Sequence, residues 1–473
     1  MAAAADSPPL SLSPDEFRSV ASRAVDACGA LLATLDERPV KPAITGEQSV
    51  AELGGAPPEV GLGPAALDAL ERIFAASRTP NGRFFGYVLG SGEPVAAVGD
   101  LIASVLNQNV TAWRSSPAAV TIERAVIQWI ASAVGAAGFT GSLLSGGSMA
   151  NLAGLALARE QRAPANEAGA RPGAIYITSE THTATRKAVA LLGLGTRSLR
   201  AVATDAELRM QPDALEEAMA EDERRGVLPL AVVASAGTTA TGSIDPIPEI
   251  AQVAKRRGAW LHVDGAYGGF AAMAVPEKLP GFGLADSIAL DPHKWLYQPL
   301  DCGCLLFREP AAARAAFSAS AELYRSMSAD PVEGFAFFEE SPELSRRFRA
   351  LKIWLSLRYH GVAAFRAAIR KDLDLAQRLA ARVDAAPELE RLAPVPLSAV
   401  CFRWVGDRTL PESALEAKNA ALLNAVNARG RVYLSNARVR GHFALRACLT
   451  NHRTRPEDVD AVVTEVLQLA RAS

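Results

Sequence analysis

Cysteine is scarce, with five in a chain of 473 residues. An odd, sparse set argues against a disulfide framework and for a reducing compartment. Cys302 and Cys304 are the one close pair in sequence; their spacing fits no common zinc pattern, and two strand-borne thiols read as packing. An excess of one charge is also missing. At a formal net charge of -2, neither nucleic acid nor an anionic membrane has an electrostatic reason to bind. No uncharged apolar run reaches membrane-spanning length; the longest near-candidate, residues 125–139, is short and carries Gln128. Residues 1–9 hold neither a basic stretch nor a long apolar one, so no secretory signal is expected. A soluble cytoplasmic protein follows, with no internal repeat.

What is present is an ordinary globular composition, 49% hydrophobic and 21% charged, in a chain too long for one compact core. Residues 1–13 are rich in Ala, Ser and Pro and read as frayed. Ser13 can cap a helix opened by Pro14, Asp15 and Glu16, with Phe17, Val20, Ala21, Ala24 and Val25 at helical spacing. Residues 36–64 read as an extended connector and 65–77 as helix. An amphipathic helix runs from Ile122 with Thr121 as its cap.

From 140 to 310 the pattern alternates. Apolar runs at 174–178, 199–203, 230–235, 259–263, 287–290 and 304–307 are separated by helical segments near 184–192, 212–224 and 248–257. Alternation of this kind predicts an α/β domain with a mostly parallel sheet, in which ligands bind beyond the carboxyl ends of the strands. Residues from Arg346 and then 362–385 read as helices, followed by strands at 398–404, 431–434 and 442–449 and a last helix from Glu457. The expected division is an N-terminal helical and extended segment (1–92), a large domain (93–365) and a small C-terminal α+β domain (366–473).

Four stretches carry chemistry. Asp291-Pro292-His293-Lys294 lies between two apolar runs, which puts Lys294 on a loop at the rim of the sheet, placed to form an imine. Ser145-Gly146-Gly147-Ser148 runs into a helix at 149–159; two glycines and a helix N-terminus suit an anion, and equally a turn with an N-cap. Asp264 ends a strand among small residues, where a carboxylate can pair with a protonated ring nitrogen or cap a turn. His182 follows another strand, where an imidazole can stack on a flat cofactor or cap a helix. His262 reads as a structural histidine in its strand. An anion cradle, a stacking ring, a carboxylate and an imine lysine, all at the strand edges of one domain, together describe one ligand: a phosphorylated pyridine aldehyde.

With these stretches, SGGSMAN (145–151), HTATRKA (182–188), HVDGAYGG (262–269), DPHKWL (291–296) and SRRFRALKIW (345–354), the chain resembles the group II pyridoxal phosphate (PLP)-dependent amino acid decarboxylases. The resemblance covers nearly the whole chain. It implies the fold-type I, aminotransferase-like architecture and a homodimer with active sites shared between subunits. It implies Lys294 as the imine lysine, Asp264 as partner of the pyridine nitrogen, and His182 and Ala266 on opposite faces of the ring. Gly147, Ser148 and the neighbourhood of Asp291 would hold the phosphate. Ser235 would lie near the cofactor, and His293 near the substrate carboxylate or the Cα proton. The implied reaction turns an L-amino acid, aromatic as first choice, into its amine and CO2.

The chain departs from the family pattern in places. Met149 replaces a usual acidic residue. Asn109 and Thr111 stand where aromatic-acid decarboxylases tend to carry bulky apolar groups, which makes the expected pocket more polar, while Phe84, Phe85 and Tyr87 suggest an aromatic wall. Acidic or small polar substrates therefore stay open. Arg446 can bind a carboxylate or be an exposed strand arginine. Counting back from SRRFR, Phe337 falls where a mobile loop (325–341) usually supplies a catalytic tyrosine to the partner subunit. That placement raises a second reading, an aldehyde synthase that couples decarboxylation to oxidative deamination by O2; a local slip in the count, with Tyr324 or His293 as the acid, is the alternative. A third reading, a non-catalytic PLP binder, conflicts with the retention of both Lys294 and Asp264.

Overall fold

The structure, a computed structural model, describes residues 10–318 and 330–472. The chain opens on a helix, α1 (Pro14–Ala33), started by a reciprocal capping box between Ser13 and Glu16. Two short helices follow, α2 (Gly46–Leu53) inside the expected connector and α3 (Leu70–Ala76). Thr45 and Gln48 form a second capping box, which is why a short helix interrupts that Pro- and Gly-rich stretch. Then come α4 (Pro94–Leu106) and α5 (Pro117–Ala133). The start of α5 lies before the expected Ile122, because Pro117 supplies the preset φ of a first helical turn.

The large sheet has seven strands in the order β1-β7-β6-β5-β4-β2-β3. These are β1 (Thr140–Leu144), β2 (Ala174–Ile177), β3 (Leu199–Ala201), β4 (Pro229–Ser235), β5 (Trp260–Asp264), β6 (Ser287–Leu290) and β7 (Gly303–Phe307). Strands β2 to β6 pair in parallel, and β7 runs antiparallel to β6 and β1. This is the mostly parallel α/β architecture that the alternation predicts. Both faces are covered, so the strands read as continuous apolar runs. Alternate residues serve opposite cores: Val232, Ala234, Leu261 and Val263 join one, Ala231, Val233 and Trp260 the other. The crossovers are α6 (Gly147–Arg162), α7 (Thr183–Leu191), α8 (Pro212–Arg224) and α9 (Ile247–Arg256). After β6 the chain makes one tight helical turn, α10 (Pro292–Trp295), where the sequence suggests a plain loop. The helix α11 (Pro310–Phe317) follows β7.

Further along the chain, α12 (Ala350–His360) and the long α13 (Val362–Asp384) lead to a second, antiparallel sheet of order β10-β11-β9-β8. Its strands are β8 (Leu389–Arg391), β9 (Ala399–Trp404), β10 (Ser435–Val439) and β11 (His442–Cys448). The strand expected at 431–434 sits slightly later, as β10. Helices α14 (Glu412–Arg429) and α15 (Pro456–Ala472) cover this sheet, and Leu379, Phe402, Leu422 and Val462 share its core. Among the described residues no helix is long and apolar enough to cross a membrane.

Candidate active site

Parallel strands deliver their carboxyl ends to one edge, and the chemistry gathers there. Strand β1 ends at Leu144 and releases Ser145–Ser148; β2 leads to His182; β4 ends on Ser235, β5 on Asp264, and β6 runs into Asp291. These segments enclose a cavity of about 340 Å3. Its lining includes Gly147, Ser148, His182, Ser235, Asp264, Ala266, Asp291, His293 and Lys294, so every residue expected to touch the cofactor meets at one place.

Lys294 brings an amine to the cavity. Its ammonium lies 2.9 Å from Asp291 Oδ2, and 21% of its side chain is exposed toward the cavity. Burial disfavours the charged amine, but the Asp291 charge and hydrogen bond, with Asp264 farther off, outweigh it and hold the pKa above the ordinary lysine value. To attack a carbonyl, the amine must therefore give up both a proton and this ion pair. Asp291 is 2% exposed in its side chain, and its other oxygen, Oδ1, has no hydrogen-bond partner among the described residues. An orphaned buried carboxylate oxygen is costly unless a ligand satisfies it.

The imidazoles have readable tautomers. The Cys302 amide donates to His293 Nδ1 at 3.2 Å, which leaves a neutral ring with its proton on Nε2, 3.6 Å from Asp291 Oδ2. Burial lowers the pKa of His293 and favours that neutral form. His182 caps α7 by accepting the Ala184 amide on Nδ1 and exposes its ring to the cavity. Asp264 accepts the Ala266 amide at 3.1 Å, which fixes the carboxylate at the strand end. Ser235 is held by its own amide, which donates to Asp245 Oδ2 at 2.7 Å. Burial pushes the Asp245 carboxyl up to about 6.

The glycines are cut to fit. A Cβ on Gly147 would lie 2.7 Å from Asp291 Oδ2 and 2.9 Å from the Ala266 methyl. A Cβ on Gly303 would come within 2.5 Å of Gly146 Cα, so β7 can pack directly behind the loop. The first turn of α6 opens on the cavity, with the unpaired amides and dipole that favour an anion. A buried amine, a carboxylate at a strand end, a flat imidazole and a glycine cradle at a helix N-terminus fit a phosphorylated pyridine aldehyde.

Other expected residues lie elsewhere. Phe84 stacks on Tyr433 at 5.0 Å, and the Tyr87 hydroxyl is 3.2 Å from that of Tyr433. Asn109 Oδ1 accepts the Arg346 amide at 2.9 Å, and Thr111 O accepts the Phe338 amide at 3.3 Å. None of the four lines this chain's own cavity. Phe337 also lies outside the cavity. Its ring is fully buried, edge-on to Phe335 and 4.1 Å beneath the Arg346 guanidinium, which itself pairs with Glu123. That packing holds the ring in the core of its own chain, away from this chain's cavity. Tyr324 lies outside the described residues. Arg446 is buried, not an exposed strand arginine. It donates to Ala240 O and Tyr87 O and keeps Nη2 unpaired.

Sequence reasoning misses Tyr267 and Asn151, which both border the cavity. Tyr267 stacks on Trp295 at 5.5 Å and shares a 2.9 Å hydrogen bond with the Ser398 hydroxyl. Its signal is its place, three residues after Asp264 in the same turn.

The fold and site define an enzyme that holds an aldehyde cofactor on a lysine. Residues 70–405 match the pyridoxal-dependent decarboxylase conserved domain, and the chain belongs to that family. It is 34% identical to the aromatic-L-amino-acid decarboxylase of Bacillus atrophaeus over 98% of this chain and 97% of that protein. It is 31% identical to the 4-hydroxyphenylacetaldehyde synthase of Rhodiola rosea, covering 90% and 89% of the two chains. Its structure superposes on that of Oryza sativa TDC with PLP and tryptamine at a TM-score of 0.91, with 29% identity over 98% and 99% of the chains. The protein is a PLP-dependent decarboxylase with the fold of that family.

Proposed function

We propose that the substrate is an aromatic L-amino acid, converted to its amine and CO2. The observation that carries the chemistry is Lys294 in its cavity, with Asp291 beside its amine and Asp264 at the neighbouring strand end. The aromatic choice is supported by the named activities of the relatives and rests on them. Bound PLP supplies a sink for the electron pair left at Cα when CO2 departs.

The chain's own residues prepare that event. Gly147, Ser148 and the first turn of α6 would receive the phosphate, and Asp264 would pair with the protonated ring nitrogen. His182 and Ala266 would flank the ring. The Lys294 amine, once it has given up its proton and its Asp291 ion pair, would be the group that holds the cofactor aldehyde. His293 carries a proton on Nε2 at the cavity edge, available to the substrate side. Fixing the substrate carboxylate selects which bond to Cα breaks. Decarboxylation consumes one proton at Cα for each CO2 released.

A homodimer is part of this reading. Helix α1 buries no residue, and α4 exposes Leu101, Ile102, Val105 and Leu106. A second copy would cover this apolar face and bring Phe84, Tyr87, Asn109 and Thr111 toward the partner's cavity. The division at 1–92, 93–365 and 366–473 is supported by separate cores for the two sheets. A cytoplasmic location is supported by five free cysteines, four of them buried.

The test is a panel of L-amino acids with the PLP-loaded enzyme, following CO2, amine and hydrogen peroxide together. Amine and CO2 from aromatic acids, without peroxide, is the expected result. CO2 with aldehyde and peroxide would establish the aldehyde-synthase reading, which now rests on relatives of that name rather than on Phe337. Turnover confined to acidic or small polar acids would overturn the aromatic assignment.

A further inference from the structure

We infer that His262 and Asn151 are positioning residues that set the phosphate-receiving turn of α6 through a one-way chain of buried hydrogen bonds. Trp260, His262 and Asp264 alternate onto one face of β5, the face against which α6 packs. Trp260 Nε1 donates to Ser287 Oγ at 2.8 Å. An indole N–H can only donate, so Ser287 accepts there. From the other end, Gly147 O can only accept, which turns Asn151 Oδ1 to His262 Nε2 and leaves Nδ1 to accept the Ser287 proton, also at 2.8 Å. With Nδ1 accepting, the neutral ring carries its proton on Nε2 and donates to Asn151 Oδ1 at 2.9 Å. That fixes the amide orientation, and Asn151 Nδ2 donates to Gly147 O at 2.8 Å.

Every link has one direction, and the chain ends on the residue that forms the cradle. Trp260, His262 and Ser287 do not border the cavity. His262 is fully buried, and burial pushes its pKa down to about 4, which keeps the ring neutral and the polarity of the chain intact. The approach is tight: a Cβ on Gly154, one turn past Asn151 on α6, would come within 2.4 Å of the His262 ring. The imidazole therefore acts as a spacer between β5 and α6 as well as a relay of orientation. An apolar spacer would pack, but it would leave Asn151 Oδ1 without its donor, so the amide would be held only by its bond to Gly147 O.

The inference rests on the assignment of the phosphate to Gly147 and Ser148. The experiment compares two probes on the apoenzyme, PLP and pyridoxal, which lacks the phosphate; each is read as the absorbance of its imine with Lys294. Asn151→Asp and His262→Leu are expected to weaken PLP about tenfold while pyridoxal stays within about twofold, the worth of one lost or misdirected hydrogen bond at the phosphate end. His262→Gln, which can present an amide in the same polarity, is expected to keep the wild-type ratio. Because Asn151→Asp is isosteric, it reads the proposal even if His262→Leu does not fold. Parallel loss of PLP and pyridoxal, or no loss of either, overturns the proposal. Ser148→Ala separates the two layers. If it lowers the PLP-to-pyridoxal ratio while the chain variants do not, the inference alone fails. If it leaves the ratio unchanged, the phosphate assignment fails and takes the inference with it.

Discussion

Lys294 and Phe337 make opposite points about single residues. Lys294 has solvent access, a carboxylate partner and an empty direction to react into; Phe337 has a cation above it and a ring at its edge. Lys294→Ala is expected to abolish both CO2 release and the visible absorbance that PLP gives on its lysine. A variant that keeps that absorbance would move the imine elsewhere. Phe337→Tyr is expected to cost about 1–3 kcal/mol of stability, because the new hydroxyl enters a closed site without a partner. Denaturant unfolding reads that cost. The same variant should leave the ratio of peroxide to CO2 unchanged, and a change in that ratio would restore the catalytic reading of this position. Nearly all of the cofactor end is legible in the sequence, since each residue sits directly after an apolar run and takes its place from the strand. The substrate end is not. Asn109, Thr111 and Phe337 lie in irregular segments whose position depends on Arg346 and Glu123, far away in the chain.

At the scale of elements, the turn that carries Lys294 is clamped to α13. Trp295 Nε1 and the Tyr297 hydroxyl both donate to Asp372 Oδ2, at 3.1 and 2.8 Å. Burial pushes the Asp372 carboxyl up to about 8 from its ordinary 3.8, while Lys371, Tyr297 and Trp295 only partly offset it. A raised carboxyl pKa means that the folded state holds a proton the unfolded chain has lost. Its contribution is complete below about pH 4 and is lost progressively as pH rises to about 8. Asp372→Asn removes the titration and keeps an acceptor for both donors. The melting temperature of the variant is expected to gain on wild type as pH rises through that window and to level off above it. A difference that is flat with pH would show that Asp372 is already ionised in the fold. Other elements differ in how openly the sequence shows them. The parallel strands are buried on both faces and stand out as apolar runs. Strand β1 begins Thr-Gly-Ser, with no such run, and its pairing with β7 is a long-range event. Helix α14 buries Asn419 among Leu415, Leu422 and Leu423, and Asn419 satisfies the Trp404 backbone on both sides. A polar residue on the inward face blurs the periodicity that would reveal the helix.

For the whole molecule, the argument turns on surface that one chain leaves open. A helix of 20 residues that buries none of them gains little from staying on its own chain. The apolar stripe of α4, which follows α2 and α3 in the chain, projects Leu101 and Val105 one turn apart. This exposed apolar surface supports the proposed dimer. The four residues expected to shape the substrate pocket lie outside this chain's own cavity, which is lined by cofactor-binding loops. Both facts are met by one arrangement, in which a second copy closes the apolar face and supplies the missing wall. Leu101→Glu combined with Val105→Glu is expected to shift the protein from dimer to monomer in sedimentation velocity, because two charges cannot be buried there unpaired. The monomer should still bind PLP on Lys294, since every group that holds the cofactor belongs to one chain, but its CO2 release should collapse. A variant that sediments as a monomer and keeps full turnover would make the site complete within one subunit. A wild-type protein that is already monomeric and active would do the same without any mutation.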